Sequence, residues 1–147
     1  MKIFKHTLLL LLTFIVIQSS YAQSDNKQSD REQINQTMSS FFKWDLEGGV
    51  DNAEKALSKT VLYHRLNEKR EHVTNTPNFD WEGKGKNAHE HNIVDVDIYK
   101  DMAVVTVLLR YNPQSASNTY MKTFILYKLA QGWRVTNVTW GSVKNTQ

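Results

Sequence analysis

Leu8 to Ile17 is an apolar run broken only by Thr13. Lys2, Lys5 and His6 precede it, and Gln18-Ser19-Ser20-Tyr21-Ala22 follows, with small residues at Ser20 and Ala22. A basic start, a short apolar stretch and a small-x-small site form the plan of a cleaved export signal. Residues 1–22 are therefore expected to be a signal peptide, residues 23–28 a flexible lead-in, and residues 29–147 the folded domain. The run makes about 15 Å of helix where a bilayer core needs about 30 Å. No later stretch approaches the ~20 apolar residues of a membrane span. The expected location is periplasmic or secreted, in a bacterium, with no membrane partner once the signal is removed.

The next pattern has a helical period. Ser29-Asp30-Arg31-Glu32 reads as a capping box. Ile34, Met38, Phe41 and Phe42 follow at i, i+4, i+7 and i+8, one stripe of a helix that Leu46 extends and Trp44 borders. Gly48-Gly49 supplies the stop. Asp51-Asn52-Ala53-Glu54 offers a second cap, for a short helix carrying Ala53, Ala56 and Leu57.

From Thr60 the period becomes two. Val61 to Leu66 reads as a strand. Residues 67–91 are polar and weakly periodic, which predicts a ragged hairpin or a lid. Asn92 to Tyr99 alternates, with Val94, Val96 and Ile98 on one face and Asp95 and Asp97 on the other. Lys100-Asp101 turns the chain into Met102 to Tyr111, a more apolar and hence central strand. Thr119 to Leu129, the turn Ala130-Gln131-Gly132, and Trp133 to Trp140 complete an antiparallel meander. Two helices followed by a meander is an α+β order. The helical stripe needs a cover, and only the meander offers one. A strongly twisted sheet wrapped on that helix predicts a cone-shaped roll with an open mouth.

Composition narrows the function. The chain of 147 residues has no Cys, which excludes disulfide scaffolds, thiolate metal sites and thiol nucleophiles. Its formal charge of +3 includes Lys2 and Lys5, so the part after residue 22 carries 16 basic against 15 acidic residues, a net +1. A nearly neutral body offers no basic stripe for nucleic acid.

His89-Glu90-His91 could supply two metal ligands from one strand face. Continuing the parity of the following strand puts both on the side of Asp95 and Asp97, opposite Val94, Val96 and Ile98. That predicts a solvated pair and no metal site. Tyr63 and His64, adjacent in a strand, face opposite ways, and His64 is of the residue type most used as a general base. Trp44, Trp81, Tyr111 and Trp140 could line a mouth that stacks a planar ligand, or pack in core and interface. Asn137, on the parity of Trp133 and Val135, is expected to bring an amide into an apolar face, where it must find a partner.

The helix ending Phe41-Phe42-Lys43-Trp44-Asp45-Leu46-Glu47-Gly48-Gly49 and the meander Ile93 to Val107, Tyr120 to Leu129 and Gly132-Trp133-Arg134-Val135 resemble the nuclear transport factor 2-like superfamily. Within it they look most like the exported bacterial group named "putative lumazine-binding". The resemblance spans about 110 residues, and its motifs are core patterning. It implies a ligand cavity, with Tyr63 and His64 near it as in the superfamily's enzymes, and a homodimer formed through the outer sheet face. Steroid isomerases of that fold use a carboxylate base, a Tyr and a protonated acid, and this sequence matches no such trio.

The resulting expectation is a non-catalytic protein that holds an apolar or planar small molecule, without a cofactor. Trp44, Tyr63, His64, Trp81, Tyr111, Asn137 and Trp140 form the expected ligand-binding set. The alternatives are an isomerase, dehydratase or hydrolase using His64 or a pocket carboxylate, and an interaction module whose cavity is filled by its own side chains.

Overall fold

The computed structural model describes residues 28–66, 69–80, 89–111 and 119–142. The expected signal peptide and most of the lead-in lie outside these residues. The chain divides into two compact units, Met1–Glu32 and Gln33–Gln147. The described part of the first, residues 28–32, is helical, and Gln28 Nε2 donates to Glu32 Oε1 at 3.4 Å. Gln28 and Ser29 already lie in the helix, so Ser29 is not its N-cap.

Helix α1 covers residues 28–47. Its end at Gly48-Gly49 is the one the sequence predicts. Gly48 has φ of 77° and its N–H donates to the Trp44 carbonyl at 2.8 Å, closing the last turn. Gly49, with φ of 94°, is the N-cap of helix α2, Val50–Ala56. The expected cap at Asp51 therefore lies inside the helix instead, and Asn52 Nδ2 ties back to the Gly48 carbonyl.

Six strands follow: β1 Leu57–Leu66, β2 His72–Asn75, β3 His89–Tyr99, β4 Met102–Tyr111, β5 Thr119–Leu129 and β6 Gly132–Ser142. They form one sheet in the order β2-β1-β6-β5-β4-β3. The meander β3 to β6 is antiparallel throughout. The ragged segment holds a short edge strand, β2, hairpinned on β1.

Two expectations are corrected. The sheet is mixed, because β1 runs parallel to β6. No hairpin constrains that pair, since β2 to β5 lie between them in sequence. The sheet is also open, and not the strongly curled wall of a cone. Closure requires the terminal strands to exchange backbone hydrogen bonds, whereas β2 and β3 stand at opposite edges.

Within the second unit, the stripe Ile34, Met38, Phe41 and Trp44 is almost fully buried against one sheet face. Phe41 meets Phe124 edge-to-face at 4.9 Å, and Thr37 Oγ1 donates to the Trp133 carbonyl at 3.1 Å. Val105, Val107, Phe124, Leu126, Trp133, Val135 and Val138 complete that face. Each such side chain contributes about 1.5–3 kcal/mol on leaving water.

Two bulges break the sheet's alternation. In β3, Ile93 opposes Val107 and Asp95 opposes Thr106, so Val94 is the extra residue. In β6, Asn137 opposes Ile125 and Val135 opposes Leu126, so Thr136 is extra. An extra residue moves everything beyond it to the other face. Val94 is consequently 51% exposed, although the simple alternation makes it a core residue.

Candidate functional site

Helix α1 carries a charge on its apolar stripe. Asp45 lies four residues beyond Phe41, so it points at the sheet with it. Lys122 lies on the same face of β5 as Phe124 and Leu126 and is 7% exposed. The two meet, with Lys122 Nζ 3.3 Å from Asp45 Oδ2. His91 joins them, its Nε2 3.4 Å from the same oxygen. Its side chain is only 5% exposed and stacks on Phe42, with centroids 4.3 Å apart.

The expected solvated position of His91 is thus corrected. The Val94 bulge inverts the parity between Asp95 and His91, sending the imidazole inward. The side chain of His89 is outside the described residues. Among the described residues no group of three or more His, Cys, Asp or Glu could hold a metal ion.

Burial alone would raise the Asp45 pKa, but the His91 hydrogen bond and the Lys122 charge outweigh it and hold the carboxyl below its usual range. Tyr63, on the inner face of β1, responds in the opposite direction. Burial first, and the Asp45 charge second, push its phenol far above the ordinary value. It stays a neutral O–H donor, and that buried hydroxyl has no hydrogen-bond partner among the described residues. Trp44 Nε1 is a second buried donor without a partner among the described residues. The Tyr63 ring packs edge-on against Trp140 at 5.7 Å. Trp140, Lys122, Leu109 and Tyr120 line a cleft of about 250 Å³. A larger groove of about 690 Å³, lined by Leu57, Ser58, Phe79, Leu129 and Arg134 among others, does not include these charged groups.

The residues singled out in the sequence divide between two faces. Trp44, Tyr63 and Trp140 are together inside. His64 and Asn137 are together on the other face, where Asn137 Nδ2 and His64 Nε2 are 3.1 Å apart. The inward placement expected for Asn137 is corrected, because the Thr136 bulge turns it away from Trp133 and Val135. Its expected need for a partner is met by His64. Trp81 lies outside the described residues. Tyr111 ends β4, and its side chain is not among those described. Asp45, His91 and Lys122 are not among the residues expected at a site.

No protein-family model and no curated protein matches this chain. Solved structures do. A nuclear transport factor 2-like protein of unknown function from Shewanella baltica superimposes with a TM-score of 0.66 at 13% identity, covering 80% of this chain and 96% of that one. One from Silicibacter pomeroyi, also of unknown function, gives 0.63 at 11% identity, covering 78% and 97%. A protein from Shewanella frigidimarina described as a "putative ketosteroid isomerase" gives 0.56 at 16% identity, covering 74% and 94%. These likenesses extend to the fold and do not reach the narrower lumazine-binding group. With an α-helix laid on an open mixed sheet of this strand order, the chain has the nuclear transport factor 2-like fold.

Proposed function

We propose that this protein binds a small planar molecule bearing a hydrogen-bond acceptor or an anionic group, and does not transform it. The carrying observation is the buried Tyr63 hydroxyl, a donor with no partner among the described residues, beside a half-buried carboxylate held by an imidazole and an ammonium. Leaving such a donor unpaired costs about 1–3 kcal/mol, which an acceptor on a ligand would recover. Lys122 adds positive charge at the cleft, and Trp140 offers an aromatic wall.

The enzymatic alternative requires a base poised near working pH. Asp45 is the carboxylate in place, and its partners hold its pKa down, making it a weak base. His64 stands on the opposite face, engaged with Asn137 and His72. Both observations favour binding over catalysis.

Native mass spectrometry of the protein isolated from its natural source tests the reading. The expected spectrum shows the chain with an added small mass, lost on denaturation and diminished in Tyr63→Phe. A bare-chain mass in wild type and variant alike contradicts it.

A further inference from the structure

The outer face of β1 and β2 carries a second cluster that the proposed binding function does not use. His64 opposes Thr74 and Leu66 opposes His72, so His64 and His72 are diagonal neighbours on one face. His64 Nδ1 and His72 Nε2 face each other at 3.2 Å. The ring planes are within 6° of parallel, with centroids 5.4 Å apart. Rings offset by that distance with nitrogens this close lie edge to edge, each presenting a nitrogen to the other.

We infer that this imidazole pair is a binding site for a first-row divalent metal ion of the zinc type. Two nitrogens each bound at about 2.0–2.1 Å to one ion, at an angle between octahedral and tetrahedral, stand ~2.8–3.4 Å apart. The observed separation falls in that interval, so the nitrogens need not move apart, and turning both rings off the line that joins them brings both lone pairs onto one ion. Imidazole nitrogen is a favoured ligand for zinc, nickel and copper. The pair supplies two ligands. The Thr74 hydroxyl, 3.5 Å from His64 Nδ1, and solvent are available for the remaining positions.

Asn137 supplies the outer support such sites use. Without metal, its amide N–H donates to His64 Nε2 and the Nδ1 proton of His64 bridges to His72. With metal, the His64 proton sits on Nε2, and half a turn of the Asn137 amide presents Oδ1 to accept it. The ion would tie the four-residue edge strand β2 to β1 through side chains as well as through the backbone ladder.

Calorimetric titration of the full chain with zinc chloride is the test, run on wild type, His64→Gln, His72→Gln and His89→Gln. The expected result is one saturable equivalent in wild type and His89→Gln, weakened at least tenfold in each of the other two. The melting temperature should rise with zinc wherever binding is retained. Circular dichroism confirms that the His64 and His72 variants, both at surface positions, are folded. Should either variant unfold, imidazole proton shifts of wild type under zinc give the same answer, moving for His64 and His72. Absence of saturable binding in wild type overturns the inference. So does binding that survives both substitutions, or that is lost in His89→Gln.

Discussion

At the residue scale, the main fact is a half-buried carboxylate shared by an ammonium and an imidazole. Asp45 accepts from Lys122 and His91 at one oxygen, under the aromatic cover of Phe42. Removing its charge strands a buried ammonium, so Asp45→Asn should lower stability by about 1–3 kcal/mol, measured by urea unfolding at neutral pH. The pH dependence has a definite sign. A carboxyl whose folded pKa lies below its unfolded value stabilises above the unfolded value, near 4, and loses that contribution as pH falls through the folded one. The acid limb of the wild-type stability curve should therefore flatten in Asp45→Asn. Tyr63 works at the other end. Its raised folded pKa leaves its contribution intact below pH ~10 and lost above it. Tyr63→Phe should move the alkaline unfolding midpoint upward.

Two of these three groups are legible in the amino-acid pattern alone. Asp45 continues the series Ile34, Met38, Phe41 at helical spacing, and Lys122 shares strand parity with Phe124 and Leu126. A charge on an apolar stripe is costly unless paired, and two of opposite sign on elements that must pack together predict a pair. His91 is not legible in that way, because its orientation depends on a bulge between it and the strand that sets the parity.

At the element scale, β4 and β5 are readable to the residue, since their alternation is strong and their turns carry Lys100-Asp101 and Gly132, whereas β3 begins at His89, ahead of the expected Asn92, and β6 runs on past Trp140 to Ser142. The faces are less so. A bulge leaves no compositional mark at Val94 or Thr136, yet each inverts the residues beyond it. These positions yield a sharp prediction. Deleting Val94 removes the extra residue and leaves both halves of β3 on their observed faces. That variant should melt within a few degrees of wild type. Deleting Val105 from regular, central β4 should abolish cooperative unfolding, because half a strand turns its core residues to solvent. Thermal melts followed by circular dichroism distinguish the two. On the helix, Phe41→Ala should cost about 3–5 kcal/mol, since Phe41 is fully buried against Phe124.

At the scale of the whole molecule, the helix-then-meander order specifies an α+β domain but not its closure. Side-chain patterning says which face of a strand is wet. It does not say whether two edges meet, nor that β1 enters beside β6 and parallel to it. The interior accordingly offers a modest cleft beside a polar cluster, at Leu109, Tyr120, Lys122 and Trp140. Among the described residues no helix is long and apolar enough to cross a membrane. The fold is shared with proteins of unknown function and with one described as a "putative ketosteroid isomerase", so function must be read from this chain's own interior.

The most direct measurement is a titration of the ¹⁵N-labelled protein with 2-naphthoate, a planar ring carrying an anionic acceptor, followed by NMR. The account predicts saturable shifts confined to Tyr63, the indoles of Trp44 and Trp140, and the backbone around Lys122. Affinity should fall about three- to tenfold in Tyr63→Phe, as expected for one lost hydrogen bond. Shifts at those positions that never saturate, or saturable shifts that map elsewhere, would contradict it.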